Sequence, residues 1–401
     1  MRALIVAGAT AVCSVLLAGQ ALADGTTPAD ITWVTANSDS TGDQDNSAIA
    51  TVRTGYTAVV WEDDRDTTNP TDPVHSEVYL RLYRDGVSQY EKKLSAGGTG
   101  NWRHVQPDVS LHEDGSAVVV WSEDPDANGY YNIAVRAVNT AGTVTGSTTA
   151  NASADGQQLN PSVAADPDGP GFAVAFEDKQ GTAAPTVRLS GFASITSKTY
   201  EVQVNNTGGT HQRPDVAMGA PGNAVVAWDE DGDANGSFNI GRKIVTPTGA
   251  VKLAQGVANV TTAGQQRHPS IAANFNGDFV IAWESDTQVG VRSFTATGVA
   301  RAAADTLVPG ADPQAGIDDQ LNVVVGWSEA ADIWAQGLNP NGSTTGRLPR
   351  LRVHTVVAGS QTEPAVAVSA FGQVVLAYTD DNDGNGFDQV RLGTGLINST
   401  W

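Results

Sequence analysis

The sequence predicts an all-β fold, a seven-bladed β-propeller of four-stranded antiparallel blades closed by the N-terminal strand. Three observations predict it. An apolar run ending in an aromatic recurs seven times, closing on Trp61, Trp121, Phe176, Trp228, Trp283, Trp327 and Tyr378. Successive aromatics stand 60, 55, 52, 55, 44 and 51 residues apart, a period near 50 that marks radial repeats joined by loops of variable length. Each run is preceded by a Q/H-x-x-P box and a Gly turn, and followed by a polar, mostly acidic loop.

The elements follow in chain order. Residues 1–23 read as a secretory signal: Arg2, an apolar run from Ala3 to Ala18, and Ala21-Leu22-Ala23 before Asp24. The run is too short and Ala/Gly-rich for a membrane span, so neither membrane insertion nor a lipid anchor is expected. Cys13, the only cysteine, lies inside it, so residues 24–401, read as a single propeller, hold no disulfide. The segment 31–37 resembles an outermost strand yet precedes the first blade, whereas the seventh unit lacks one. The N-terminal strand is therefore expected to complete blade seven and remove the free edge.

The fifth unit illustrates a blade. Strand A starts at Pro269, an Asn276-Gly277 turn leads to strand B, which ends at Trp283, strand C runs from Gly290 to Thr295, and a Thr297-Gly298 turn opens strand D. Gly at such turns accepts positive φ without a Cβ clash. Strand B is apolar throughout because a central strand is covered on both faces, and its aromatics read as wedges between blades.

Acidic residues number 44 against 23 Lys and Arg, a net charge of −21, or about −22 without Arg2. Such a body repels nucleic acid and anionic membranes. It suits an extracellular protein.

Two polar motifs fall on one face. The B–C loops of blades 2, 4 and 7 read D-x-D-x-N-G-x-x-N/Q: Asp124, Asp126, Asn128 and Asn132; Asp231, Asp233, Asn235 and Asn239; Asp381, Asp383, Asn385 and Gln389. Oxygens at positions 1, 3, 5 and 9 with Gly at 6 suit Ca²⁺, so structural calcium is expected there; the pattern is similar to integrin-type propeller loops, with an amide replacing their final acid. The second motif precedes strand A. Three residues before the Pro stand Gln44, His104, Gln158, His211, Gln266 and Gln361, read as structural hydrogen-bonders to a neighbouring blade's backbone. One residue before the Pro stand Asn46, Gln106, Asn160, Arg213, His268, Asp312 and Glu363, all polar yet varied. That variety suits either an asymmetric ligand or ion pairs between loops. The ligand reading takes in Arg103, His104, Asn160, His211, Arg213, Arg267, His268, Asp312 and Glu363.

Sialidase boxes, H-E-x-x-H and G-x-S-x-G are absent, and 44 acids leave a glycosidase pair unidentifiable. The repeat, as in Gln361-Thr-Glu-Pro-Ala-Val-Ala and Gln266-Arg-His-Pro-Ser-Ile-Ala, resembles the repeats of secreted bacterial β-propellers, and an exported, high-GC propeller looks like the lectin-like subunits of umbrella-type toxin particles of actinobacteria. The resemblance implies a secreted, non-catalytic protein that binds a glycan or cell-surface polymer at the channel mouth, alone or within a larger secreted complex. The alternatives are a polysaccharide lyase acting on a uronic-acid polymer, with Arg213 on the carboxylate and His211 or His268 as base, and a protein-binding scaffold.

Overall fold

The computed structural model describes residues 31–65, 75–96, 103–206, 208–344, 348–355, 358–382 and 384–397. The expected signal segment 1–23 and Asp383 lie outside the described residues. Seven four-stranded antiparallel sheets follow one another around an axis, six of them consecutive in sequence. The seventh has the order that closure demands: Gln361–Val368, Gln373–Asp380 and Gln389–Ile397, with Thr32–Thr35 as its outer strand.

Seven apolar clusters hold the ring, and each straddles two neighbouring blades. The seven aromatics ending the B strands sit one per cluster and are at most 1% exposed. They are inter-blade wedges, as their period implied. Indole N–H groups buried this way need acceptors. Trp61 donates to Asp63 at 2.8 Å, Trp121 to Glu123 at 3.2 Å and Trp283 to Gln266 at 3.0 Å. The strand C residue opposite Trp228 and Trp283 is Gly241 or Gly290, where a Cβ would lie 2.4 Å from the ring. Truncating one of these tryptophans to Ala costs about 3–5 kcal/mol in a packed core.

The Q-x-x-P box has a backbone cause. In every blade two residues of strand A oppose the single aromatic of strand B, a β-bulge. The first of the two is left-handed: Asn46, Gln106, Asn160, Arg213, His268, Asp312 and Glu363 all have φ between 48° and 58°. The second is Pro in six blades and Ser47 in the first. Pro fits because a bulge residue gives no N–H to the ladder. The left-handed conformation is costly for a non-glycine side chain, and all seven of these residues line the channel.

Blade 5 differs from its reading in one place. The Thr297-Gly298 turn leads first to a single bridge, Phe294 to Ala300, and strand D begins only at Thr306. Arg301 diverts the chain by pairing with Asp278 of the A–B turn at 2.8 Å.

Candidate functional site

A channel of about 660 Å³ runs along the axis, lined by all seven A strands. Its mouth is the ring of left-handed residues, and two sets of hydrogen bonds organise that ring.

The first set joins blades. Six of the seven left-handed N–H groups meet an oxygen of the preceding blade: Gln106 donates to Glu62 at 2.7 Å, Asn160 to Gln106 at 2.9 Å, Arg213 to Glu177 at 3.3 Å, His268 to Asp229 at 2.8 Å, Asp312 to Glu284 at 3.0 Å and Asn46 to Glu363 at 2.7 Å. The second set works within a blade, between the left-handed residue and the residue after the aromatic. Where that residue is an acid, the ring position donates: Asn160 to Glu177, Arg213 to Asp229 and His268 to Glu284, at 3.0, 2.9 and 2.7 Å. Where it is a hydroxyl, the ring position accepts: Ser122 donates to Gln106 at 3.1 Å and Thr379 to Glu363 at 2.8 Å. Part of the ring's variety thus has an internal cause, since donor or acceptor is matched to the residue opposite on strand B.

Blade 1 breaks the rule. Asn46 does not reach Glu62; its amide turns to Asp45 at 3.4 Å. Asp45 stands directly opposite Glu62 in the ladder, whereas the corresponding partners elsewhere are Val105–Ser122, Leu159–Glu177, Gln212–Asp229, Arg267–Glu284 and Thr362–Thr379. Only blade 1 faces a carboxylate with a carboxylate. Burial, then the charges of Glu62, Glu363, Asp43 and Asp64, push Asp45 far above the ordinary carboxylate range. Burial likewise raises Glu62, although the Gln106 N–H opposes it. Asp64 and Asp388 are pushed up to about 6, chiefly by burial and then by Asp43. Two unionised carboxyls beside a clamped Glu363 form a proton-holding cluster at the junction of blades 7 and 1. Sequence reading missed Asp45 and Glu62 because neither belongs to a motif; the signal was an acid on each side of the bulge in blade 1 alone.

The expected ligand residues separate into three groups. Asn160, Arg213, His268, Asp312 and Glu363 line the channel mouth. His104 and His211 do not: both are 1% exposed, and their Nε2 atoms meet the carbonyls of Ala96 and Gly208 at 2.8 and 2.5 Å. Gln44, Gln158, Gln266 and Gln361, also fully buried, donate in the same way to carbonyls three residues upstream. This ring is structural, but its bonds pin the loop entering its own strand and not a neighbouring blade's backbone. Arg267 stacks on Phe238 at 3.9 Å, and Arg103 lies beside Glu62 and Asp64 and favours their ionised forms against burial.

The acidic B–C loops are built alike. Asp124 accepts from the N–H groups of Asn128 and Gly129, and Asp231 from those of Asn235 and Gly236. Asn128 and Asn235 bond Asp126 and Asp233 at 2.9 and 2.8 Å, and Asp381 and Asn385 accept from Gly386 and Phe387. The ninth residues turn away from the loops: Asn132, Asn239 and Gln389 accept from Asn151, Asn259 and Asn37. Among the described residues no three His, Cys, Asp or Glu side chains are grouped to hold a metal ion.

No family model and no curated protein matches the chain. Solved structures do. A GH93 α-L-arabinofuranosidase of Fusarium graminearum, in complex with arabinobiose, is 10% identical, with 90% of this chain and 96% of that one covered and a TM-score of 0.52. An α-L-arabinanase of Penicillium chrysogenum, also with arabinobiose, is 11% identical over 77% and 93% at 0.51. Virginiamycin B lyase of Staphylococcus aureus is 13% identical over 91% and 98% at 0.53. At such identity the likeness is one of fold. It nevertheless corrects the expectation of a non-catalytic recognition protein, which leaned on the absence of familiar motifs: the propellers it resembles in fold include an α-L-arabinofuranosidase and an α-L-arabinanase, so missing boxes do not argue against catalysis.

Proposed function

We propose that the protein is an exported glycoside hydrolase whose chemistry lies at the mouth between blades 7 and 1. One observation carries the reading: the cross-strand pair Asp45 and Glu62, alone among the seven blades, opposes two carboxyls and keeps them protonated where an ordinary acid would be ionised. Hydrolysis of a glycosidic bond needs a carboxylic acid to protonate the leaving oxygen and a second carboxylate to act as base or nucleophile. Asp45 is partly exposed and Glu62 only 8% exposed, so Asp45 is the proton donor and Glu62 the neighbour that keeps the proton on it. Glu363 is the second carboxylate, fixed by Asn46 N–H and the Thr379 hydroxyl. The polar ring from Gln106 to Asp312 offers amide, guanidinium and imidazole groups to sugar hydroxyls.

The neighbours named above make arabinan the first substrate to try. Release of reducing sugar from arabinan, or of nitrophenol from the α-L-arabinofuranoside, should be detectable in the parent and fall roughly 10²–10⁴-fold in Asp45→Asn and Glu363→Gln, the range a proton-transferring group supplies. An activity equal to the parent's in both variants would falsify the assignment.

A further inference from the structure

In six blades one side chain following strand D reaches back to strand C and accepts the N–H of its second residue. Ser95, Asn151, Asn205, Asn259 and Asn37 do so for Val78, Ile133, Val187, Ile240 and Val390, at 2.9, 2.8, 2.8, 2.8 and 3.1 Å. Blade 6 keeps the contact and changes its chemistry: Ile333 N–H donates to His354 Nε2 at 3.1 Å. Amides and hydroxyls accept at any pH, whereas an imidazole nitrogen accepts only while it carries no proton.

The same Nε2 stands 3.6 Å from Asp332 Oδ1, so one nitrogen has two neighbours that demand opposite protonation states. Neutral, His354 takes the Ile333 N–H; protonated, it donates to Asp332 and leaves that N–H without its acceptor. His354 is 1% exposed and the bond is buried, so water does not replace what is lost. Other charges face the ring from both blades. Arg352, on strand D, shares Asp332 at 3.6 Å. Blade 7 presents the Tyr378 ring at 5.3 Å and Asp380, which burial raises while Gln361, then Arg391 and His354, favour its ionised form. Arg391 pairs with Asp380 at 3.5 Å, so each carboxylate already has a guanidinium, and Asp332 is the one within reach of Nε2.

Strand D of blade 6 is only Leu351–Arg352, which leaves the side-chain bond a large share in holding it. Around it Leu348, Leu351 and Val353 form, with Ile31, Trp33 and Tyr378, the apolar cluster that seats the closing strand Thr32–Thr35. We propose that His354 is an acid-sensitive clasp, whose protonation frees strand C of blade 6 from the segment after strand D and loosens the seat of the strand that closes the ring. Its contribution is present above the imidazole range and lost as pH falls through it, around 6.5 for an ordinary histidine. The clasp is independent of any chemistry at the mouth.

Hydrogen exchange read by mass spectrometry on the full chain, corrected for the intrinsic pH dependence of exchange, tests this. Peptides spanning Asp332–Leu338 should lose protection roughly tenfold between about pH 7.5 and 5, the worth of one buried hydrogen bond, while those spanning Thr186–Ser194, clasped by Asn205, should not. His354→Asn, which installs the clasp of blades 2, 3, 4 and 7, should keep its protection at both values. Asp332→Asn, at a partly exposed position, should move the loss to lower pH by removing the partner of the imidazolium. Equal protection of the parent at the two pH values overturns the proposal, as does an equal loss in His354→Asn. Should that variant fail to fold, a loss that Asp332→Asn leaves unmoved overturns it instead.

Discussion

Two arcs of one ring have the same backbone and opposite electrostatics. Over blades 3 to 5 each acid after the wedge aromatic meets a donor from the bulge, Asn160, Arg213 or His268, and the charges are spent within the protein. His268 is raised by its bond to Glu284, against burial, and Glu284 is lowered by His268 although burial opposes it: the pair is ionic. Across blades 7 and 1 the acids Asp43, Asp45, Glu62, Asp64, Glu363 and Asp388 crowd together, and burial raises five of them, Asp45 and Glu62 far enough to stay protonated at pH 7. The basic arc, conspicuous in an acidic sequence, is the satisfied one. The arc that stands out only in three dimensions carries unspent chemistry, a pattern that perturbed carboxyls share with functional sites.

The same junction is the seam of the ring, which gives the largest predicted effect. Asn37 follows the outer strand and binds Gln44 and Gln389 at 3.0 and 2.6 Å while accepting from Val390 N–H, and Trp33 packs edge-on against Tyr378 at 4.8 Å. Deleting residues 31–37 should open blade 7, lower the melting temperature sharply and provoke aggregation through the bared strand Gln389–Ile397. A shortened protein that remains monomeric and melts like the parent would show that this seam is not what closes the ring.

The next effect separates the arcs by pH. Asp45 and Glu62 hold protons in the folded state that the unfolded chain releases near pH 4. Unfolding then releases protons, so their contribution to stability is complete in acid and is lost as pH rises from the ordinary carboxylate range toward their raised values. One such proton gives a slope of about 1.4 kcal/mol per pH unit. Denaturant titrations between pH 5 and 9 should show that slope in the parent and a flatter one in Asp45→Asn/Glu62→Gln; parallel curves contradict the protonated pair.

A smaller change tests the satisfied arc. Arg213→Ala strands Asp229, whose side chain is fully buried, and should cost about 2 kcal/mol, less than for a fully buried pair because Arg213 is 40% exposed. Adding Asp229→Asn should recover part of the loss, and a double-mutant cycle with no coupling would mean the pair is incidental. The smallest effect concerns calcium, which remains a proposal from loop spacing. If the loops at Asp124, Asp231 and Asp381 take the ion, millimolar calcium should raise the melting temperature with the logarithm of its concentration. Equal melting in calcium and in EDTA would dismiss it.

The sequence by itself determined the fold. A 50-residue period, apolar runs ending in an aromatic and an orphan first strand leave few other ways to bury seven wedges and close a sheet edge. It also marked the positions of the mouth ring, since a polar residue before Pro at six of the seven bulges is a local, covalently spaced pattern. What those residues do was decided by tertiary structure. Arg213 and His268 looked like ligand groups because their partners, Asp229 and Glu284, lie 16 residues away on another strand. His104 and His211 were counted with the ligand residues as well as with the structural hydrogen-bonders, because no local signal shows which side of a bulge a side chain takes. The opposition of Asp45 and Glu62 needed the ladder register, and register is set by a bulge and a turn together, so a pair of protonated carboxyls facing each other across two strands is written in neither.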